Sequence, residues 1–407
     1  MKRILLLSYH SLPLNVIASY RTEAYLKYFR SFDLFPVLVT MDFENKGTEV
    51  ILEEEEDYNI YRLRKPEVKQ MDAGKVGLFF NWLQGKLDFK ESDFEAYEVF
   101  KTFLFSHLRD HSYDALLTIF SPFHHIKLAS ELYKSFKVPY VIDFRDLHDN
   151  RILSDQPIPF TSRLKNRITE YHLKKWTKNA LFLTAVSRPH VEYLISLTRR
   201  KAFEVMNGFE KEIANTRSKG SLDKFMISSV GNLQNCQKPE LFYDGLGLFL
   251  ENVSDKNKVQ VNFIGITDNY RKGAREEISA NISGDVLNLS DRVPKEEANK
   301  IIGESSLIIF PTLVGFKGNY TGKFFEYIGS KKPLLLFPED EEFSRFKELP
   351  SIKFANTPAE IAKYLETTFT NWEEGNPLDF SSMDVEPYSR KAQAENMAKL
   401  LKENLQN

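Results

Sequence analysis

The chain has 407 residues, 42% of them hydrophobic, which is enough for two or three domains with substantial cores. Its 55 basic and 57 acidic residues leave a net charge of −2, so nothing in the balance marks a nucleic-acid binder. The single cysteine, Cys236, excludes an internal disulfide and a cysteine-based zinc site, which fits a reducing cytosol.

Met1-Lys2-Arg3 leads into an apolar run, Ile4 to Leu7, that gives way at once to polar Ser8 to Ser11 and is too brief for a signal peptide. No stretch approaches the ~20 apolar residues of a membrane span. A cytoplasmic chain is expected, soluble or resting at the inner face of the cell membrane. The spacing predicts a strand over Ile4 to Ser8, a helix over Ala18 to Phe32 and a strand over Pro36 to Thr40. Such an opening starts a doubly wound α/β domain, whose ligands lie beyond the carboxyl ends of its strands. The intervening loop, Tyr9 to Arg21, lacks the glycine-rich dinucleotide fingerprint, which argues against a nicotinamide-binding domain. Glu53 to Asp57 reads as a solvated surface turn. Val76 to Phe89 gathers Phe79, Phe80 and Trp82 with three leucines; it either docks on a membrane or a lipid-linked acceptor, or covers the sheet as a core helix. Ser92 and Glu95 form a capping box for the next helix.

Ala115 to Phe120 is a buried strand ending at Ser121-Pro122-Phe123-His124-His125, and Tyr140 to Ile142 is another ending at Asp143-Phe144-Arg145-Asp146. Polar clusters at the carboxyl ends of consecutive strands are where an α/β sheet builds a site, although two carboxylates around an arginine also serve as a structural network. Phe160 to Lys178 is a basic amphipathic helix whose charges read as a solvated face. Ser187 stands as the cap of a further helix, and Glu210 to Lys224 is the expected linker.

After the linker the pattern restarts with Phe225 to Val230, ending at Gly231-Asn232, then Val259 to Ile264, and Val286 to Leu289 ahead of Arg292. Leu307 to Pro338 reads as strand, glycine-bearing loop, short helix and strand. At the front of that helix, Thr321, Gly322 and Lys323 offer free N–H groups, a close approach and a cation to a phosphate. Glu326, one turn on from Lys323, accepts both hydroxyls of a ribose, or else the two form an ordinary exposed i,i+3 pair. Ser389 to Asn407 is a terminal helix.

The segment TGKFFEYIGSKKPLL, Thr321 to Leu335, resembles the donor-site segment of glycosyltransferase family 4, retaining enzymes of the GT-B fold. VIDFRDLHDN, Val141 to Asn150, resembles the Asp-Phe-Arg-Asp segment of a bacterial branch of that family. The resemblance implies an α/β chain of two doubly wound, Rossmann-like domains facing a central cleft. Residues 1–212 would form the acceptor side, 213–385 the nucleotide-sugar side, and 386–407 a helix crossing back. It implies that Glu326 binds the donor ribose, that Lys238, Lys323 and Arg292 neutralise the pyrophosphate beside Gly231 and Asn232, and that Asn15 and Arg21 lie near phosphates or acceptor. His124 would contact the donor sugar, and Asp143, Arg145 and Asp146 would serve catalysis. Three positions depart from the resemblance: Asn232 stands where the family has arginine, Gly318 where it has a second acid, and His148 where the bacterial branch has tryptophan. The implied reaction is metal-independent hexosyl transfer, without a cofactor, from a nucleoside-diphosphate sugar to a glycan or lipid-linked acceptor in bacterial surface polysaccharide synthesis. A sugar-nucleotide epimerase of the same fold, an inactive nucleotide-sugar-binding subunit and a dinucleotide oxidoreductase are the rivals. Product analysis without acceptor distinguishes the first of them.

Overall fold

In the computed structural model the described residues are 1–14, 16–44, 49–64, 94–120, 122–210 and 223–405. The expected site residue Asn15, the segment Val76 to Phe89, the Ser92 cap and most of the Glu210 to Lys224 linker lie outside them. The chain divides into two units, Met1–Asn207 with Arg390–Asn407, and Gly208–Ser389, so the breaks fall five residues before and four after the boundaries expected from sequence.

The first unit is built on β1 (Lys2–Leu7), β2 (Leu34–Asp42), β3 (Val50–Glu54), β4 (Asn59–Arg64), β5 (Ala115–Phe120), β6 (Tyr140–Phe144), β7 (Leu183–Ala185) and β8 (Ala202–Glu204). They lie in the order β3-β4-β2-β1-β5-β6-β7-β8, parallel except for β3, which runs antiparallel to β4. Successive side chains of a strand point to opposite faces, so Leu5 and Leu7 enter one core while Ile4 and Leu6 enter the other. A sheet covered on both faces therefore reads as an unbroken apolar run. Helices α1 (Ile17–Tyr28), α2 (Phe94–Asp110), α3 (His124–Phe136), α4 (Phe160–Thr177) and α5 (Arg188–Thr198) follow in chain order. The terminal helix, Arg390–Asn404, buries Met397, Ala398 and Leu401 with Tyr25 and Phe29 of the α1 side. The acidic run is a correction to the sequence reading: Glu53 and Glu54 belong to edge strand β3, and Arg62 of β4 holds Glu53 at 2.7 Å across the pair. Charges suit an edge strand, where they deter pairing with another chain.

The second unit alternates β9 (Phe225–Val230), α6 (Glu240–Asn252), β10 (Val259–Ile264), α7 (Ala274–Asn281), β11 (Leu287–Ser290), α8 (Lys295–Glu304), β12 (Leu307–Pro311), α9 (Gly322–Gly329), β13 (Leu334–Phe337), β14 (Ile352–Phe354) and α10 (Pro358–Glu373). Its parallel strands take the order β11-β10-β9-β12-β13-β14. That is the 3-2-1-4-5-6 arrangement of a Rossmann sheet, with its switch point between β9 and β12. A polar ladder runs across one face, in which Asn288 donates to Asn262 at 2.9 Å and Asn262 to Ser228 at 2.9 Å, each along a direct cross-strand pair.

Candidate functional site

In the second unit a cavity of about 350 Å³ opens beyond the carboxyl ends of β9, β10 and β11 and against α9. Its floor is set by two glycines that end adjacent strands with left-handed backbone, Gly231 at φ 98° and Gly265 at φ 81°. Glycine adopts that conformation without a Cβ penalty. Gly231 N–H donates to the Ile264 carbonyl at 2.6 Å, which locks the two strand ends together. Over Gly231 lies the Lys323 side chain, so close that a Cβ at position 231 would fall 2.7 Å from its Nζ.

Helix α9 places that lysine. Phe324, Phe325, Tyr327 and Ile328 are buried, which leaves Lys323 and Glu326 on the side that lines the cavity. Tyr327 pins the helix to β9, its hydroxyl accepting the Val230 N–H at 2.8 Å and donating to the Val230 carbonyl at 2.9 Å. Gly329 serves packing rather than the helix terminus, because a Cβ there would meet the Phe209 ring, and the left-handed turn beyond falls to Lys331 at φ 54°. Lys323 Nζ donates to the Asn232 carbonyl at 2.9 Å. Burial pulls its pKa down to about 8, with Glu326 acting in the opposite direction. A cation partly stripped of water beside a glycine floor is what an incoming diphosphate would re-solvate.

Of the residues singled out in the sequence, Gly231, Asn232, Arg292, Lys323 and Glu326 line this cavity together. Lys238 is exposed and stands outside the lining, as do Thr321 and Gly322, so the expected anion site at the very start of α9 reduces to Lys323. Thr321 does not cap the helix, and its Oγ1 is buried without a partner. Asn232 proves to be a bracket: its side-chain oxygen accepts the Thr267 N–H at 2.6 Å and hydroxyl at 3.0 Å, tying together the loops after β9 and β10. Lys295 and Tyr270, both missed in the sequence, also line the cavity; Lys295 adds a cation, and the ring of Tyr270, 59% exposed, offers an apolar face. The Gly318 N–H donates to Glu342 Oε2 at 3.1 Å, and burial pushes the Glu342 pKa up. Nothing in local spacing signals a partner 24 residues away.

Gly231→Ala is accordingly expected to weaken binding of a diphosphate ligand by about tenfold, since ~1–2 kcal/mol of backbone strain adds to displacement of Lys323. Calorimetry on the variant checks it. Unchanged affinity contradicts the placement of Lys323 over Gly231.

In the first unit the structure separates residues that the sequence grouped. Asp143 is fully buried, and its two oxygens accept Arg21 Nε at 2.6 Å, Arg21 Nη2 at 2.7 Å, Tyr25 Oη at 2.8 Å and Thr184 Oγ1 at 2.7 Å. Arg21 also donates to the carbonyls of Val205 at 2.9 Å and Met206 at 3.0 Å. Burial opposes the guanidinium charge, and Asp143 overrides it, so the pKa of Arg21 rises. A carboxylate with all four lone-pair sites occupied has no acceptor to spare. Asp143 and Arg21, expected to be catalytic and ligand-facing, form a buried frame that joins α1, β6, β7 and the chain after β8. Arg145 turns away from Asp143 and pairs with Asp146 through Nε at 2.8 Å and Nη2 at 2.6 Å, with Asp146 45% exposed. His124 opens α3, buried, with its ring 5.7 Å from that of Tyr97. Its neighbour His125 is a space-filling aromatic, packed 4.8 Å from the Phe100 ring, and burial pushes its pKa down to about 3.

No protein-family model matches the chain, and no curated protein matches it in sequence. Solved structures do match. A sucrose-phosphate synthase from Thermosynechococcus elongatus superimposes with a TM-score of 0.65 at 12% identity, over 99% of either chain. A UDP-forming α,α-trehalose-phosphate synthase from Burkholderia xenovorans gives 0.60 at 12% identity, over 100% of this chain and 99% of that one. HepE from Anabaena, in complex with UDP and glucose, gives 0.59 at 11% identity, over 99% and 100%. With two Rossmann-like units and these neighbours, the chain has the GT-B fold class.

Proposed function

We propose that this chain is a retaining glycosyltransferase that moves a hexosyl unit from a nucleoside-diphosphate sugar to a glycan or lipid-linked acceptor. The observation that carries the reading is the second unit's cavity, with Lys323 over the Gly231 floor, Arg292 and Lys295 as further cations, and Glu326 one helical turn from Lys323. Cations and glycine backbone suit a diphosphate, and the Glu326 carboxylate suits the paired hydroxyls of a ribose. Three cations in the lining take up the charge that Asn232, in the arginine position, does not supply. UDP is the nucleotide of first choice, because neighbours of the same fold are UDP-forming or hold UDP. Arg145 and Asp146 are assigned to the acceptor side and to turnover, and His124 to the donor sugar. The resemblance of Val141 to Asn150 to a bacterial branch of the family supports surface polysaccharide synthesis as the setting and the cytoplasmic side as the place.

No metal is assigned a role: leaving-group charge falls to Lys323, Arg292 and Lys295. A thermal-shift screen of nucleotide sugars, followed by product analysis with and without acceptor, tests the assignment. Stabilisation by UDP-sugars and acceptor-dependent release of UDP are expected. Interconversion of the donor without acceptor would instead show an epimerase.

A pH effect follows from Lys323. Its pKa near 8 in the free protein should rise when a diphosphate replaces lost solvation, so binding takes up a proton above that pH. UDP affinity is expected to hold level below about pH 8 and then fall by up to ~tenfold per pH unit, while uridine affinity stays flat. Parallel profiles for the two ligands would remove Lys323 from the phosphates.

A further inference from the structure

Helix α4, Phe160–Thr177, carries its side chains in an unusual distribution. The residues it buries are Asn166, Thr169, Leu173 and Thr177, three of them polar. Outward it shows Phe160 at 81% exposure, Tyr171 at 62% and Leu164 at 43%. At ~100° per residue these three fall within about 40° of one another, on the side of the helix away from the buried stripe. They make an apolar ridge roughly 16 Å long at ~1.5 Å per residue. Cations flank the ridge: Arg163, Arg167 and Lys174 on one side, Lys175 on the other, with Lys178 continuing the ridge line just past the helix end. Among the described residues Arg167, Lys174, Lys175 and Lys178 form no ion pair, although the chain as a whole carries slightly more acids than bases. The Glu170 carboxylate on this helix is occupied, accepting Tyr193 Oη at 3.1 Å.

An ordinary surface helix buries its apolar side chains and shows its charges. Here both lie on the exposed side, in the pattern of a helix that rests in an interface between an anionic surface and hydrocarbon. We propose that the exposed face of α4 docks the protein on an anionic phospholipid bilayer, with Phe160, Leu164 and Tyr171 entering the headgroup boundary and the flanking lysines and arginines meeting lipid phosphates. Charge complementarity selects an anionic partner, and the apolar ridge selects lipid over nucleic acid, whose backbone offers it no hydrocarbon. This docking is independent of the reaction proposed above. Among the described residues no helix is long and apolar enough to cross a membrane, so the contact is peripheral.

The full chain is to be sedimented with vesicles of phosphatidylcholine alone and of phosphatidylcholine with one third phosphatidylglycerol. Binding to the anionic vesicles only, released at about 0.5 M salt, is expected. Lys174→Ser with Lys175→Ser should weaken it at least tenfold, from about fivefold per charge near an anionic leaflet. Phe160→Ser with Tyr171→Ser should weaken it at least fivefold. All four positions are exposed, so melting temperatures should match the parent and exclude misfolding as the cause. A parent chain that stays in the supernatant, or binds neutral vesicles equally, overturns the proposal. So does a serine pair at 160 and 171 that leaves binding intact, because the face would then act by charge alone and fit any polyanion.

Discussion

Arg21→Leu is expected to lower the melting temperature of the chain by roughly 10 °C. The variant leaves the Asp143 carboxyl fully buried, without its cation and short of two of its four hydrogen-bond donors, with the Val205 and Met206 carbonyls also stripped. Breaking a buried pair by removing one partner costs about 3–5 kcal/mol, and each kcal/mol shifts a unit of this size by ~2–4 °C. Asp143→Leu should cost as much for the converse reason, a buried guanidinium without its anion. In the double variant the loss should fall well short of the sum, since neither charge is then left alone. A fall of less than about 3 °C for either single variant would contradict the structural role. Turnover of the folded fraction, scaled to active protein, should remain near that of the parent.

Asp146→Asn is expected to do the opposite, cutting turnover by on the order of 100-fold while leaving melting temperature and donor affinity nearly unchanged. Its carboxylate is half-exposed at the carboxyl end of β6 and held in place by its own neighbour, Arg145, through two short contacts. Such a group is oriented yet open, able to fix an acceptor hydroxyl or to support developing positive charge, and asparagine keeps its volume while removing the charge. Steady-state rates and donor titrations on one preparation decide the matter. Lower stability with normal turnover would make the Arg145–Asp146 pair a brace and end its catalytic assignment.

The contrast between Asp143 and Asp146 shows where sequence reading stops. Three positions apart, they look alike in the chain, but strand register sets Thr184 opposite Asp143, and α1 delivers Arg21 and Tyr25 from more than 100 residues away. Burial by distant segments is invisible to local spacing. What could be read was local: the apolar runs of β12 and β13, the glycines between them, and Lys323 with Glu326 on one side of a short helix. The same locality made the second unit's α/β alternation legible, because the central strands β12 and β13 are continuous apolar runs buried on both faces. Edge strand β3 was not legible, since an edge tolerates the charges that a central strand excludes. Asn232 and Glu342 are a third kind of miss, where a polar side chain stabilises a loop that only the folded sheet brings near.

Calorimetric titration of uridine, UDP and UDP-glucose into the parent chain, Glu326→Ala and Lys323→Ala tests the nucleotide site most directly. Loss of a charged hydrogen-bond partner in a partly buried site costs about 1.5–3 kcal/mol, so Glu326→Ala should weaken all three ligands at least ~tenfold. Lys323→Ala should spare uridine and weaken both diphosphates. Unchanged affinity for UDP in both variants would contradict the site.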